Sequence, residues 1–179
     1  MSKKILLLHG WGGSDSPHWQ SWLASEIAKG YGKVSFLKFS DFDTPKLDVW
    51  LDELTKELAD FQPDIVICHS LANSLWFHLE KSCKIRPLEY LYLVAPPSFQ
   101  CKVDALNEFF PLQYPSSLSA QHTLLITSTN DPYMQEEEAI ELQKNLNIEM
   151  KVLKNAGHIN TDSGFGEWPW FLKELKQKL

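Results

Sequence analysis

Three residues of this 179-residue chain pair suitable chemistry with informative positions: Ser70, Asp131 and His158. A serine hydroxyl is a weak nucleophile until a base removes its proton. An imidazole does so when a carboxylate holds its tautomer and stabilises its positive form. Such a set would attack a carbonyl carbon and pass through an acyl-enzyme. Each of the three follows a strand-like run of sequence. They occur in the order Ser…Asp…His, one of the few chain orders in which this constellation is found.

Each residue also has an ordinary explanation. Ser70, in Cys68-His69-Ser70-Leu71-Ala72, stands where a helix begins and would serve as its cap. A strand-to-helix turn that lifts a nucleophile usually reads G-x-S-x-G; here the small residues flanking the serine are Cys68 and Ala72, so the motif is degenerate. Asn130-Asp131-Pro132 is a common turn, and His158, in Ala156-Gly157-His158-Ile159, lies in a loop. The coincidence of all three at one edge of a sheet favours the chemical reading. Among the other histidines, His9 is expected to stabilise a loop. His18 and His78 fall in helical sequence and His122 precedes a strand. The side chain of His69 should point away from that of Ser70.

Acyl transfer also needs donors for the oxyanion, usually two backbone N–H groups. Leu71, next after the serine and at a helix start, would give one. The other is expected from Gly10-Trp11-Gly12-Gly13, with Trp11 preferred and Gly12 as the alternative. As a dinucleotide fingerprint that loop would need glycine at Asp15, and no Walker lysine follows.

The elements that must position these groups alternate. Short apolar runs at 4–8, 34–37, 65–68, 91–94, 123–127 and 150–153 read as strands covered on both faces. Helical periodicity fills the gaps between them. The first helix is signalled by Asp15-Ser16-Pro17, the second by Thr44-Pro45, and others span 71–81, 135–145 and 169 to the C-terminus. Such alternation predicts a three-layer α/β/α sandwich around a mostly parallel six-stranded sheet, in a single domain over 1–179. Ligands of such sheets bind beyond the carboxyl ends of the strands. The proline-bearing stretch 95–121, with a short helix near 103–110, is long enough to cover a site there.

Composition excludes several alternatives. The formal charge of −6 disfavours nucleic acid as a partner. Cys68, Cys83 and Cys101 have neither disulfide nor zinc spacing. No apolar run suits a signal peptide or a membrane span, so the expected setting is cytoplasmic, without membrane attachment. With 44% hydrophobic and 12% aromatic residues the chain can build a core and spare some rings for a pocket. Trp11, Phe99, Phe109, Phe110 and Trp168 are the candidates. No metal or organic cofactor is expected, and the partner is a small acyl substrate.

Longer motifs resemble a family. His9-Gly10-Trp11-Gly12-Gly13 with Pro17-His18-Trp19-Gln20-Ser21-Trp22-Leu23 is similar to the opening of the small serine hydrolases related to YdeN and to retinoblastoma-binding protein 9. His69-Ser70-Leu71, Val94-Ala95-Pro96-Pro97, and Ala156-Gly157-His158-Ile159-Asn160 with Gly164-Phe165-Gly166-Glu167-Trp168-Pro169 resemble later parts of the same family. The resemblance implies a minimal α/β-hydrolase fold without a large cap domain, and the same triad. The expected activity is cleavage of a small ester, carboxylesterase-like, at a shallow site. The alternatives are a thioesterase or aminopeptidase using the same triad, or a non-catalytic protein-binding module on a hydrolase scaffold. A Leu-x-Cys-x-Glu segment, which a retinoblastoma-type contact would favour, is not present.

Overall fold

The structure, a computed structural model, describes residues 2–82 and 84–179, so Cys83 lies outside the described residues. In chain order its main elements are β1 (Lys4–Leu8), α1 (Trp19–Ala28), β2 (Lys33–Leu37), α2 (Leu47–Phe61), β3 (Ile65–His69), α3 (Leu71–Ser82), β4 (Leu88–Val94), β5 (Ala120–Ser128), α4 (Glu136–Leu146), β6 (Glu149–Leu153) and α5 (Pro169–Lys176). The six strands form one sheet in the order β2-β1-β3-β4-β5-β6, and every pairing is parallel. This is the α/β-hydrolase-like sandwich expected, and among the described residues there is no large cap domain.

Why these sequences make this sheet is visible in its pleat. Successive side chains of a strand face opposite ways. Leu6 and Leu8 of β1, Val66 and Cys68 of β3, and Leu91 and Leu93 of β4 face α2, α3 and α4, where Trp50, Leu54, Leu75, Trp76 and Leu142 pack on them. Ile5 and Leu7, Ile65 and Ile67, and Tyr92 and Val94 face α1 and α5, meeting Trp19, Leu23, Ile27, Phe171 and Leu175. With apolar demand on both faces the strands carry uninterrupted apolar runs rather than alternating ones.

Several boundaries differ from the sequence expectation. Helix α1 is capped by His18, whose Nδ1 accepts from the Gln20 amide at 3.2 Å; the Asp15 carboxylate instead pairs with Lys38 at 2.8 Å. Helix α2 starts at Leu47, beyond Thr44-Pro45, because the Glu108 carboxylate accepts from the Leu47 amide at 3.1 Å and supplies the cap from a distant loop. Strand β5 begins at Ala120, so His122 lies inside it. The expected short helix near 103–110 is a single 3₁₀ turn, Asp104–Leu106. Among the described residues no helix is long and apolar enough to cross a membrane.

Because the strands run parallel, β1, β3, β5 and β6 all deliver their following loops to one rim. Those loops carry the candidate site.

Candidate active site

The turn after β3 is sharp. Ser70 takes a left-handed conformation, φ +54°, which costs a non-glycine residue of order 1–3 kcal/mol and persists only where its surroundings enforce it. Here the Ser70 amide donates to Val94 O at 3.0 Å. The buried side chain of Asn73, one turn into α3, donates from Nδ2 to both Ser70 O and Val94 O, at 2.8 and 2.9 Å. Neighbouring β4 and the first turn of α3 therefore clamp the turn from both sides.

Ser70 Oγ lies 2.8 Å from His158 Nε2, and His158 Nδ1 lies 3.0 and 2.9 Å from the two oxygens of Asp131. With the Nδ1 proton donated to the carboxylate, Nε2 is free to accept from the serine hydroxyl. His158 and Asp131 are both buried, and Asp131 also accepts from the Tyr133 amide at 2.9 Å.

The loops that bring these two together are stitched to each other. Ser128 Oγ accepts from the Ala156 amide at 2.9 Å and Asn130 Oδ1 from the Gly157 amide at 2.8 Å. The His158 amide donates to Ser163 Oγ at 3.1 Å. From the other side His69 donates from Nε2 to His158 O at 3.1 Å. Burial drives the His69 pKa well below its usual range, which keeps that ring neutral.

Gly10 packs directly beneath the serine. A methyl at Gly10 would sit 2.7 Å from Ser70 Cβ and 3.0 Å from the Leu71 amide nitrogen. His9 fixes this loop by donating from Nδ1 to Gly10 O at 2.8 Å and accepting from the Phe39 amide at Nε2 at 3.0 Å. The Gly12 amide is committed to Phe42 O at 3.0 Å. The Trp11 and Leu71 amides have no acceptor among the described residues, and both residues border the space beside Ser70.

That space has two arms. One, of about 180 Å³, is bordered by Gly13, His18, His69, Thr161 and Asp162. The other, of about 110 Å³, is bordered by Leu71, Pro97, Cys101, Val103, Leu106 and Tyr133. Trp11, Ser70, His158 and Asn160 border both. The stretch after β4 thus walls the site, as its length suggested.

Of the rings expected in the pocket only Trp11 lines it. Phe99, Phe109, Phe110 and Trp168 are buried in the two cores. Phe109 packs edge-on against Trp50, Phe99 against Phe77 and Tyr114, and Trp168 against Trp19 and Phe171. His18, expected within helical sequence, caps α1 and also borders the cleft. Sequence reasoning missed Asn73, Tyr133 and Asn160. A polar residue within the apolar run of α3 was the signal for Asn73; the other two sit in loops whose course the sequence does not specify. Among the described residues no His, Cys, Asp and Glu side chains group so as to hold a metal ion.

A serine hydrolase family model matches residues 5–177. The chain belongs to the serine hydrolase family. It is 23% identical to YdeN of Bacillus subtilis (strain 168), over 94% of this chain and 92% of that protein. The crystal structure of the B. subtilis ydeN gene product superposes with a TM-score of 0.83 at 21% identity, covering 98% of each chain. A YdeN-like protein of Pectobacterium atrosepticum gives 0.78 at 28% identity, covering 98% of this chain and 90% of the other. An esterase domain from a Rhodothermus marinus protein gives 0.70 at 12% identity over 98% and 85%, a likeness of fold.

Proposed function

We propose that this serine hydrolase cleaves small carboxylic esters through an acyl-enzyme on Ser70, with His158 as the general base and Asp131 as its orienting carboxylate. The observation that carries the reading is the unbroken path from Ser70 Oγ through both ring nitrogens of His158 to Asp131, at 2.8, 3.0 and 2.9 Å.

In this mechanism His158 Nε2 takes the hydroxyl proton as Ser70 Oγ bonds to the ester carbon. The carbonyl electrons move onto oxygen, and the uncommitted amides of Leu71 and Trp11 receive that charge. The imidazolium is stabilised by Asp131 and returns its proton to the leaving alkoxide, so an alcohol departs. Water, deprotonated by the same imidazole, then releases the acid and restores Ser70. The oxyanion donors are worth about 3–4 kcal/mol each in related chemistry. A reducing, cytoplasmic setting accords with the free thiols of Cys68 and Cys101.

A fluorophosphonate probe tests the nucleophile. It should label the folded wild-type chain at Ser70 and leave Ser70→Ala unmarked, and that variant should lose about four to six orders of magnitude in turnover. Folded wild-type protein that resists the probe and cleaves nothing overturns the proposal in favour of a binding role. Parallel assays on an ester, a thioester and an aminoacyl amide of matched acyl length should rank the ester first.

A further inference from the structure

The larger arm beside Ser70 gathers polar groups from several loops, and their chemistry specifies one half of a substrate. The smaller arm mixes the apolar side chains of Leu71, Pro97, Val103 and Leu106 with Cys101, Tyr133 and Asn160.

The larger arm presents both donors and acceptors. The cap bond from the Gln20 amide fixes the lone pair of His18 at Nδ1, which leaves a proton at Nε2. Among the described residues that N–H has no acceptor. Burial pushes the His18 pKa down to about 4, so the ring is neutral at pH 7. Asn160 spends its Oδ1 on Ser163, while its Nδ2, the Thr161 hydroxyl and the Asp162 carboxylate have no partner among the described residues. An anion would meet Asp162 and no full positive charge. A cation would meet the His18 and Asn160 donors. A hydroxyl group, which both donates and accepts, matches the whole set.

We infer that the alcohol half of the ester is a polyol seated between His18, Asn160 and Thr161. This rests on the acyl-enzyme reading above. His18 is then a specificity-determining residue that donates to a substrate hydroxyl, in addition to capping α1.

The test compares glycerol monobutyrate with ethyl butyrate, which share one acyl group. Wild-type enzyme should favour the glycerol ester by about tenfold in kcat/KM, the gain expected from one or two well-made hydrogen bonds. His18→Asn keeps a capping side chain but withdraws the ring N–H, and the preference should fall to about threefold or less. Thr161→Val probes the same arm without touching α1, so it decides the matter should His18→Asn fail to fold. A reduced ratio in either folded variant supports the assignment. Equal kcat/KM for the two esters in wild type, or an unchanged ratio in both folded variants, overturns it while Ser70 labelling leaves the serine-hydrolase reading standing. Failure of Ser70 to label removes both.

Discussion

The loop after β1 contains three glycines in four residues, Gly10, Gly12 and Gly13, whereas the turn after β3 contains none, yet the two pack against each other at the centre of the rim. In the glycine-rich loop the backbone comes so close to its neighbour that a methyl at Gly10 would lie 2.7 Å from Ser70 Cβ. In the other turn Cys68 and Ala72 keep their side chains, both fully buried in the core shared with α2 and α3. The close approach that a tight strand-to-helix turn requires is thus made possible by the adjacent loop.

Four experiments would break or sharpen that comparison. The largest effect is expected from Asp131→Asn, which supports neither loop directly but fixes the imidazole. Turnover of a short ester should fall by about four orders of magnitude, with folding intact by circular dichroism. A loss below tenfold would mean that another group orients His158. Next comes Gly10→Ala. Its methyl would displace the serine or the Leu71 amide by a fraction of an ångström to an ångström, and such a misplacement costs about 100-fold in kcat/KM. Wild-type rates from this variant would show that Gly10 does not make room for the turn.

The third concerns the buried imidazoles that brace the two loops. Burial lowers the pKa values of His9, His18 and His69. A base whose folded pKa lies below its unfolded value binds fewer protons when folded. Its stabilisation is therefore complete above the unfolded pKa of 6.5 and is lost as pH falls toward the folded value of about 4 for His18. His18 alone should cost about 2 kcal/mol between pH 7 and pH 5, a fall in Tm of about 4–8 °C. A Tm that holds or rises over that interval would mean these rings are already charged in the native state. The smallest effect is expected from Ala72→Gly, which restores one half of the usual motif. It should change kcat/KM by no more than about threefold and destabilise by about 1 kcal/mol, the cost of glycine in a helix. A large gain in rate would mean that Ala72 strains the turn after all.

Much of this was legible in the sequence. Uninterrupted apolar runs at β1 and β3 and helical stripes such as Trp50, Leu54 and Leu58 specify a covered parallel sheet, because only that architecture buries such patterns on both faces. Once the strands are parallel, residues just after them share one rim, so Ser70, Asp131 and His158 meet whatever their separation in the chain. What was not legible depended on long-range partners. Nothing near Thr44 reveals that Glu108 will cap α2, and nothing near Asp15 reveals that Lys38 will claim its carboxylate. Phe109 and Trp168 look like any other ring in a loop or at a helix start until the surfaces they cover are known. The polar residues of the larger arm, Asn160 to Asp162, carry no periodicity at all.

The loop of the rim bearing His158 is secured from two directions, by His69 on the serine side and by Ser128, Asn130 and Ser163 on the other. A relay assembled in the resting protein asks no contribution from the ligand toward building it. Binding energy from distant substituents, which other hydrolases consume in closing a lid, has nothing to organise here. Trimming a substrate away from its reacting bond should then weaken its capture while leaving the maximal rate nearly as it was.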